Sequence, residues 1–277
     1  MIANAALTFR LSPELEAHEP PEARGLARDE VRMLVSATEH DRIEHAVFQS
    51  LPQRMHVGDV LVVNTSATLP AALRARDARG LELGLHVSTV LPGGVTVVEP
   101  RNAPGLKPGD ALRLEDGGRA RLLWPYRNSQ RLWLAIVETT RGLNVLLERY
   151  GKPIRYPYLH GEWPLEAYQT VFALHPGSAE MPSAGRPFSA RVLQALARRG
   201  VVIARLILHC GVASLEHDEP PYEEYFSVPA ETAAAINAAR AAGRRVLAVG
   251  TTVARALESS LDGRGRVVAA RGWTDLV

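Results

Sequence analysis

The residue with the clearest chemical use in this chain is His209, which ends an apolar run over residues 201–208 and precedes Cys210 and Gly211. Such a run reads as a buried strand, and a side chain at its carboxyl end projects into the crevice where α/β proteins hold ligands. A neutral imidazole accepts a proton near pH 7, so His209 is a candidate general base. A hydrogen-bonded structural histidine is the competing reading. Further along, Gly250, Thr251 and Thr252 lead into a helical pattern carrying Arg255 and Glu258. Three apart on a helix, the last two share a face and make either a surface ion pair or one wall of a polar ligand site. Nothing around Cys210 would lower a thiol pKa, and it reads as a buried hydrophobe.

A loop at residues 177–189 is the second feature with chemical promise. Gly177, Gly185, Pro182 and Pro187 fix an irregular backbone there, with little side-chain bulk to keep another molecule away. Ser189 is a good N-cap for the helix that follows, Phe188 before it can staple onto Leu193, and Gly200 marks the far end. Exposed N–H groups at such a helix start suit an anionic or polar ligand group, which makes Pro182, Ser183, Ala184 and Gly185 candidate binding residues. The same residues also suit a tight turn holding a helix onto a sheet. Tyr168 and Gln169 are expected to border this crevice, together with Gly211, although an aromatic in such a place is often core.

The elements that must position these groups are of two kinds. Short β-rich runs recur from residue 70 to about 140, separated by turn signals at 92–94, 107–110 and 116–118. That spacing predicts an antiparallel barrel or sandwich. On either side the patterns alternate between strand and helix: strands at 31–37, 58–64, 201–208 and 245–249, helices at 143–150, 230–242 and 253–261. Thr251 or Thr252 is the expected cap of the last helix. The predicted fold is thus an α/β domain, residues 1–69 and 141–277, with an inserted all-β, barrel-like domain at 70–140.

Composition narrows the function classes. The 277 residues are 46% hydrophobic and 22% charged, as in soluble globular proteins. No apolar run approaches the ~18–20 residues of a membrane span, and the first residues lack a signal peptide's basic start. One cysteine excludes internal disulfides and cysteine-rich metal sites. No His/Asp/Glu cluster has ligand spacing, so no metal is expected, and the cytoplasm is the expected location. The net charge is +2, with only two lysines, Lys107 and Lys152. Arginine clusters such as Arg74, Arg76 and Arg79 suit phosphate forks or equally well form solvated faces.

Several of these segments, in order, resemble the S-adenosylmethionine:tRNA ribosyltransferase-isomerase (QueA) family of queuosine biosynthesis. Residues 167–173 are similar to the family's Y-Q-T-V-(Y/F)-A segment, and residues 177–188 to its G-(S/A)-V-A-A-P-T-A-G-L-H-F loop. Leu208, His209 and Gly211 match L-H-V-G, residues 250–259 match G-T-T-S-V-R-x-L-E-S, and Gly272 to Leu276 match G-W-T-D-L. The resemblance implies a small barrel beside an α/β layer. It also implies transfer of the ribosyl part of S-adenosylmethionine, as substrate, onto an aminomethyl-deazaguanine in tRNA, with loss of adenine and methionine. The sulfonium acidifies the ribose C5′–H, so the reaction needs a base, a group to hold departing adenine and a neutral amine. It further implies catalytic roles for His209, Arg255 and Glu258 and binding roles for Thr251 and Thr252.

The departures from that family bear on activity. The loop histidine is Pro187 here, a residue that neither titrates nor donates a hydrogen bond. The E-H-x-M-H-x-E stretch is contracted to residues 219–224, with His217 a possible stand-in, and two family arginines are Ala67 and Ala72. The family's further C-terminal strand and helix region lies beyond the last residue, Val277. These losses predict weak or absent turnover on tRNA, with a different acceptor or a non-catalytic nucleoside- or RNA-binding role as the alternatives.

Overall fold

The computed structural model describes residues 12–156, 158–212 and 222–276; His217 and the stretch from Glu219 to Pro221 lie outside them. A hairpin comes first, β1 (Arg32–Ala37) and β2 (Arg42–Val47), paired from Arg32↔Val47 to Ala37↔Arg42. A 3-10 turn, Phe48–Arg54, carries the chain to β3 (Val60–Asn64), which is buried at every position. Burial on both faces is the mark of a central parallel strand. A three-residue strand, β4 (Ser66–Thr68), leads out of it.

The barrel follows. Its strands are β5 (Ala72–Arg76), β6 (Glu82–Val90), β7 (Thr96–Arg101), β8 (Ala111–Leu114), β9 (Arg119–Pro125) and β10 (Trp133–Glu138). All pairings are antiparallel, and β10 closes the ring by pairing with both β7 and β9. Alternation in β5, β8 and β9 turns arginines to water and Leu73, Leu112 and Leu122 inward, the period of two that a half-buried strand requires. Helix α1 (Leu143–Tyr150) packs against that core through Leu146 and Leu147. It ends at Gly151 because a Cβ there would come 1.9 Å from the carbonyl of Pro70; close approach, and not a left-handed backbone, demands the glycine.

The chain then returns to the first layer. A short strand β11 (His175–Ser178) pairs in parallel with β4, and α2 (Ala190–Arg198) begins at Ser189, whose side chain accepts from Val192 N–H. Next come β12 (Val202–Leu208), β13 (Glu224–Val228), α3 (Ala230–Ala241), β14 (Val246–Ala248), α4 (Thr251–Glu258) and β15 (Ala270–Thr274). Five of these strands form one sheet in the order β14-β3-β12-β13-β15. Its β14, β3 and β12 are parallel, while β13 pairs antiparallel with both β12 and β15. Val60 and Val62 face α3 and α4, whereas Leu61 and Val63 face α2 and Phe188. The expected α/β unit with an inserted antiparallel barrel is therefore the fold observed.

Two local expectations need correction. Helix α4 starts at Thr251, not Val253, and its N-cap is Gly250 at φ 90°; neither threonine is the cap, because the turn needs a positive φ that only glycine adopts without strain. The residues read as a loop at 177–189 begin with the end of β11. A fourth apolar cluster, including Ala71, Leu132, Ile154 and Val212, packs where the barrel meets the α/β layer.

Candidate active-site cleft

A cleft of about 610 Å³ opens at that junction. One wall is the loop residues Pro182, Ser183 and Ala184; another is Gly250, Thr251 and Thr252 at the start of α4, with Arg255 and Glu258 further along the helix. Gly211 and Cys210, beyond the end of β12, form the floor, and Ser88 and Arg131 reach in from the barrel. Three segments far apart in sequence thus meet in one place. Contact between them is tight: a Cβ on Gly250 would lie 2.7 Å from that of Ala184, and one on Gly211 would lie 2.8 Å from Ser88 Oγ. Val212 N–H also donates to Ser88 Oγ at 2.9 Å, tying barrel to sheet.

Buried polar groups hold the floor. Asn64 Nδ2 donates to Leu208 O (2.8 Å), and its Oδ1 accepts from Leu208 N–H and Ser66 N–H. The same amide reaches Thr252 Oγ1 at 3.5 Å, so one side chain registers β3, β12 and the first turn of α4. Arg255 does not wait in the cleft as a free cation. It donates to Glu224 Oε2 at 2.6 Å and to the carbonyls of Tyr222 and Thr274. Burial pushes the Glu224 carboxyl up, while Gly211 N–H (2.9 Å) and Arg255 pull it back. Glu258, in contrast, is exposed on the cleft wall, and its carboxylate makes no hydrogen bond or ion pair among the described residues. Tyr156 and Glu180 share another edge, the phenol donating to Glu180 Oε2 at 3.1 Å. Burial and that carboxylate hold the phenol protonated.

His209 is not among the residues lining this cleft. Its ring lies on the backbone of Gly177, stacks on Tyr225 at 5.7 Å, and bonds through Nδ1 to Ser66 Oγ at 2.7 Å. Ser66 Oγ in turn meets Ser178 Oγ (2.6 Å), which accepts from Cys210 N–H (2.9 Å). The imidazole is one layer behind the floor and connected to it by this chain. Burial, with nearby His175, lowers its pKa, so the ring is neutral at pH 7. Gln169 is not in the cleft either: its amide clamps Thr68 N–H and C=O at 3.0 and 2.8 Å. Tyr168 is buried and Gly185 packs under Thr170 and Phe172. Tyr168 lines a neighbouring pocket that shares Tyr156, Met181 and Ser183 with the cleft. Cys210 is a buried thiol whose pKa burial raises, an inert group.

The family model for queuosine biosynthesis protein matches residues 4–277. The chain belongs to the queuosine biosynthesis protein family. Relatives in that family include the S-adenosylmethionine:tRNA ribosyltransferase-isomerase of Thermus thermophilus, 36% identical over 98% of this chain and 81% of the relative. Those of Rubrobacter xylanophilus (37%, covering 91% and 74%) and Thermotoga maritima (32%, covering 91% and 75%) carry the same name. A crystal structure of S-adenosylmethionine tRNA ribosyltransferase from Thermotoga maritima is 26% identical, covering 97% of this chain and 77% of that one at a TM-score of 0.46. Among the described residues no helix is long and apolar enough to cross a membrane, and no group of three or more His, Cys, Asp or Glu could hold a metal ion.

Proposed function

We propose that this chain transfers and rearranges the ribosyl part of S-adenosylmethionine onto a 7-aminomethyl-7-deazaguanine in tRNA, as a cytoplasmic enzyme of queuosine biosynthesis. The observation that carries the reading is the meeting of loop 182–184, Gly211 and the first turn of α4 around one cleft. Glu180, Glu223, Glu224 and Glu258 line it against Arg131 and Arg255, an excess of negative charge that suits a sulfonium. The start of α4 has no side-chain cap, so its N–H groups and the hydroxyls of Thr251 and Thr252 suit the methionine carboxylate.

Residue roles follow from which groups are already committed. The sulfonium acidifies the ribose C5′–H, and Glu258 is the cleft acid whose carboxylate is free to take that proton. Arg255, held by Glu224, supplies fixed positive charge and anchors α4 to β13 and β15. His209, which does not line the cleft, acts as a positioning residue and not as the base, through Ser66 and Ser178. The test incubates the chain with S-adenosylmethionine, with and without tRNA carrying the aminomethyl-deazaguanine, and reads adenine and methionine by mass spectrometry. Release that depends on this tRNA is expected, slowed by the loss of the family histidines at Pro187 and in the contracted 219–224 stretch, and Glu258→Gln is expected to lower it a further ~10²–10⁴-fold. Calorimetry showing no S-adenosylmethionine binding would overturn the reading, and release indifferent to tRNA would overturn its acceptor.

A further inference from the structure

Beside the cleft lies a second pocket of about 560 Å³ that the reaction chemistry above does not use. Its walls are aromatic: Tyr156, Tyr158, Trp163 and Tyr168. Tyr158 stacks on Tyr156 at 5.5 Å with planes 6° apart, yet remains 46% exposed, so its other face is open. Trp163 is fixed by its indole N–H, which donates to His160 O at 2.9 Å. Two acids, Glu16 and Glu19, line the same pocket and make no hydrogen bond or ion pair among the described residues. Glu16 is close enough to the Tyr158 phenol to contribute, after burial and Glu180, to its raised pKa.

The pocket shares walls with a neighbour on each side. Tyr156, Met181 and Ser183 are shared with the cleft, and Trp163 and Tyr168 with a groove of about 1000 Å³ on the far side. That groove runs between β5, β6 and the connector after α1. Arg74, Arg101, Lys152 and Arg155 line it against Glu148 and Glu162, with Lys152 paired to Glu162 at 2.8 Å, Arg74 to Glu115 and Arg101 to Glu99 at 3.1 Å, each exposed enough to turn toward a phosphate. A basic groove leading to a stack of aromatic faces is how proteins hold an unpaired nucleotide, the phosphates tracking the cations and the base stacking.

We infer that the aromatic pocket receives one unstacked guanine-type base of an RNA strand lying in the basic groove, and presents it to the cleft past Tyr156 and Ser183. A guanine-type base carries two adjacent N–H donors, at N1 and the exocyclic amine, and an ionised carboxylate accepts both. Adenine, cytosine and uracil each offer an acceptor in that pair of positions, so Glu16 and Glu19 select against them. The base enters between Tyr158 and Trp163. This rests on the reading of the chain as an RNA-modifying transferase, and it adds the acceptor's location and the groups that choose it.

The probe is an RNA hairpin with one unpaired guanine in its loop, compared with hairpins carrying adenine or no base there. The full chain is expected to bind the guanine hairpin about ten-fold more tightly than either. Tyr158→Ala with Trp163→Ala should remove that advantage, Tyr158→Phe should keep it, and Glu16→Gln with Glu19→Gln should erase the preference over adenine. S-adenosylmethionine affinity, read by calorimetry on the same variants, should change less than two-fold, which separates this pocket from the cleft and reports folding. Equal binding of the three hairpins by the unaltered chain overturns the inference, as does full discrimination by the Tyr158→Ala, Trp163→Ala variant. Failure to bind S-adenosylmethionine while guanine is still preferred would sink the proposed reaction and leave the base pocket standing.

Discussion

The His209 imidazole lies so close to Gly177 that a methyl group there would come within 2.4 Å of the ring. Ser66 and Tyr225 hold the ring in place, so it cannot simply swing away. Gly177→Ala is therefore expected to destabilise the fold by about 1–3 kcal/mol, the range for a buried hydrogen bond broken by displacement. In a double-mutant cycle, His209→Ala should relieve part of that cost. Urea unfolding of the four chains measures the coupling; additive losses would show the ring and the glycine to be independent. At this scale the sequence was partly legible. The strand-end place of His209 was read correctly, but its direction was not, because the serines that hold it come from β4 and β11. Glu224 went unread as a site residue although it left a signal. It occupies the buried phase of β13, alternating with Phe226 and Val228, and a charge in that phase calls for a partner.

Among the elements, α4 carries most of the candidate site, and its start depends on Gly250. That residue has φ 90°, and its α-carbon faces the methyl of Ala184. Gly250→Ala combines a left-handed backbone with a 2.7 Å contact, so it is expected to cost more than about 1 kcal/mol and to weaken ligand binding by parting the loop from the helix. Thermal unfolding and calorimetry on one preparation check both. The barrel has a matching device in Glu99, buried at 2% exposure with Arg131, Arg101 and His86 around it. Burial pushes its carboxyl up, yet the bonds from His86 and Arg131 outweigh it and hold the pKa at about 2. The folded value lies below the unfolded one, so this stabilisation is present above pH ~4.5 and is lost as pH falls toward 2. Glu99→Gln should thus cost about 2–3 kcal/mol at pH 7 and no more than about 1 kcal/mol at pH 2.5, as read by denaturant titration at each pH. The barrel strands and α1 were legible because turn glycines and alternation repeat there. The strands β4 and β11, three and four residues long, are too short to show a period.

The whole molecule makes the cleft by seating a barrel on an α/β layer, and that seat is an apolar cluster of its own. Leu132 is fully buried in it, with Ala71, Ile154, Ala179 and Val212. Ile236 is equally buried, at 1% exposure, in the core between the sheet and α3. Leu132→Ala and Ile236→Ala each remove a large aliphatic side chain, and each is expected to cost about 2–5 kcal/mol. Their effects on the cleft should differ. Ser88 and Arg131 reach the site from the barrel, while Gly211 and Thr252 reach it from the sheet and α4. Loosening the seat moves one set against the other; loosening the core that α3 shares with α4 leaves the barrel's seat intact. Leu132→Ala should weaken S-adenosylmethionine binding at least about five-fold at a temperature where the chain is still folded, and Ile236→Ala by less than two-fold, a gap of at least roughly 0.5 kcal/mol in binding. Calorimetry on both variants, matched for fraction folded, decides it: equal losses of affinity would mean that the cleft reports overall stability, and the barrel's seating would then have no special part in binding.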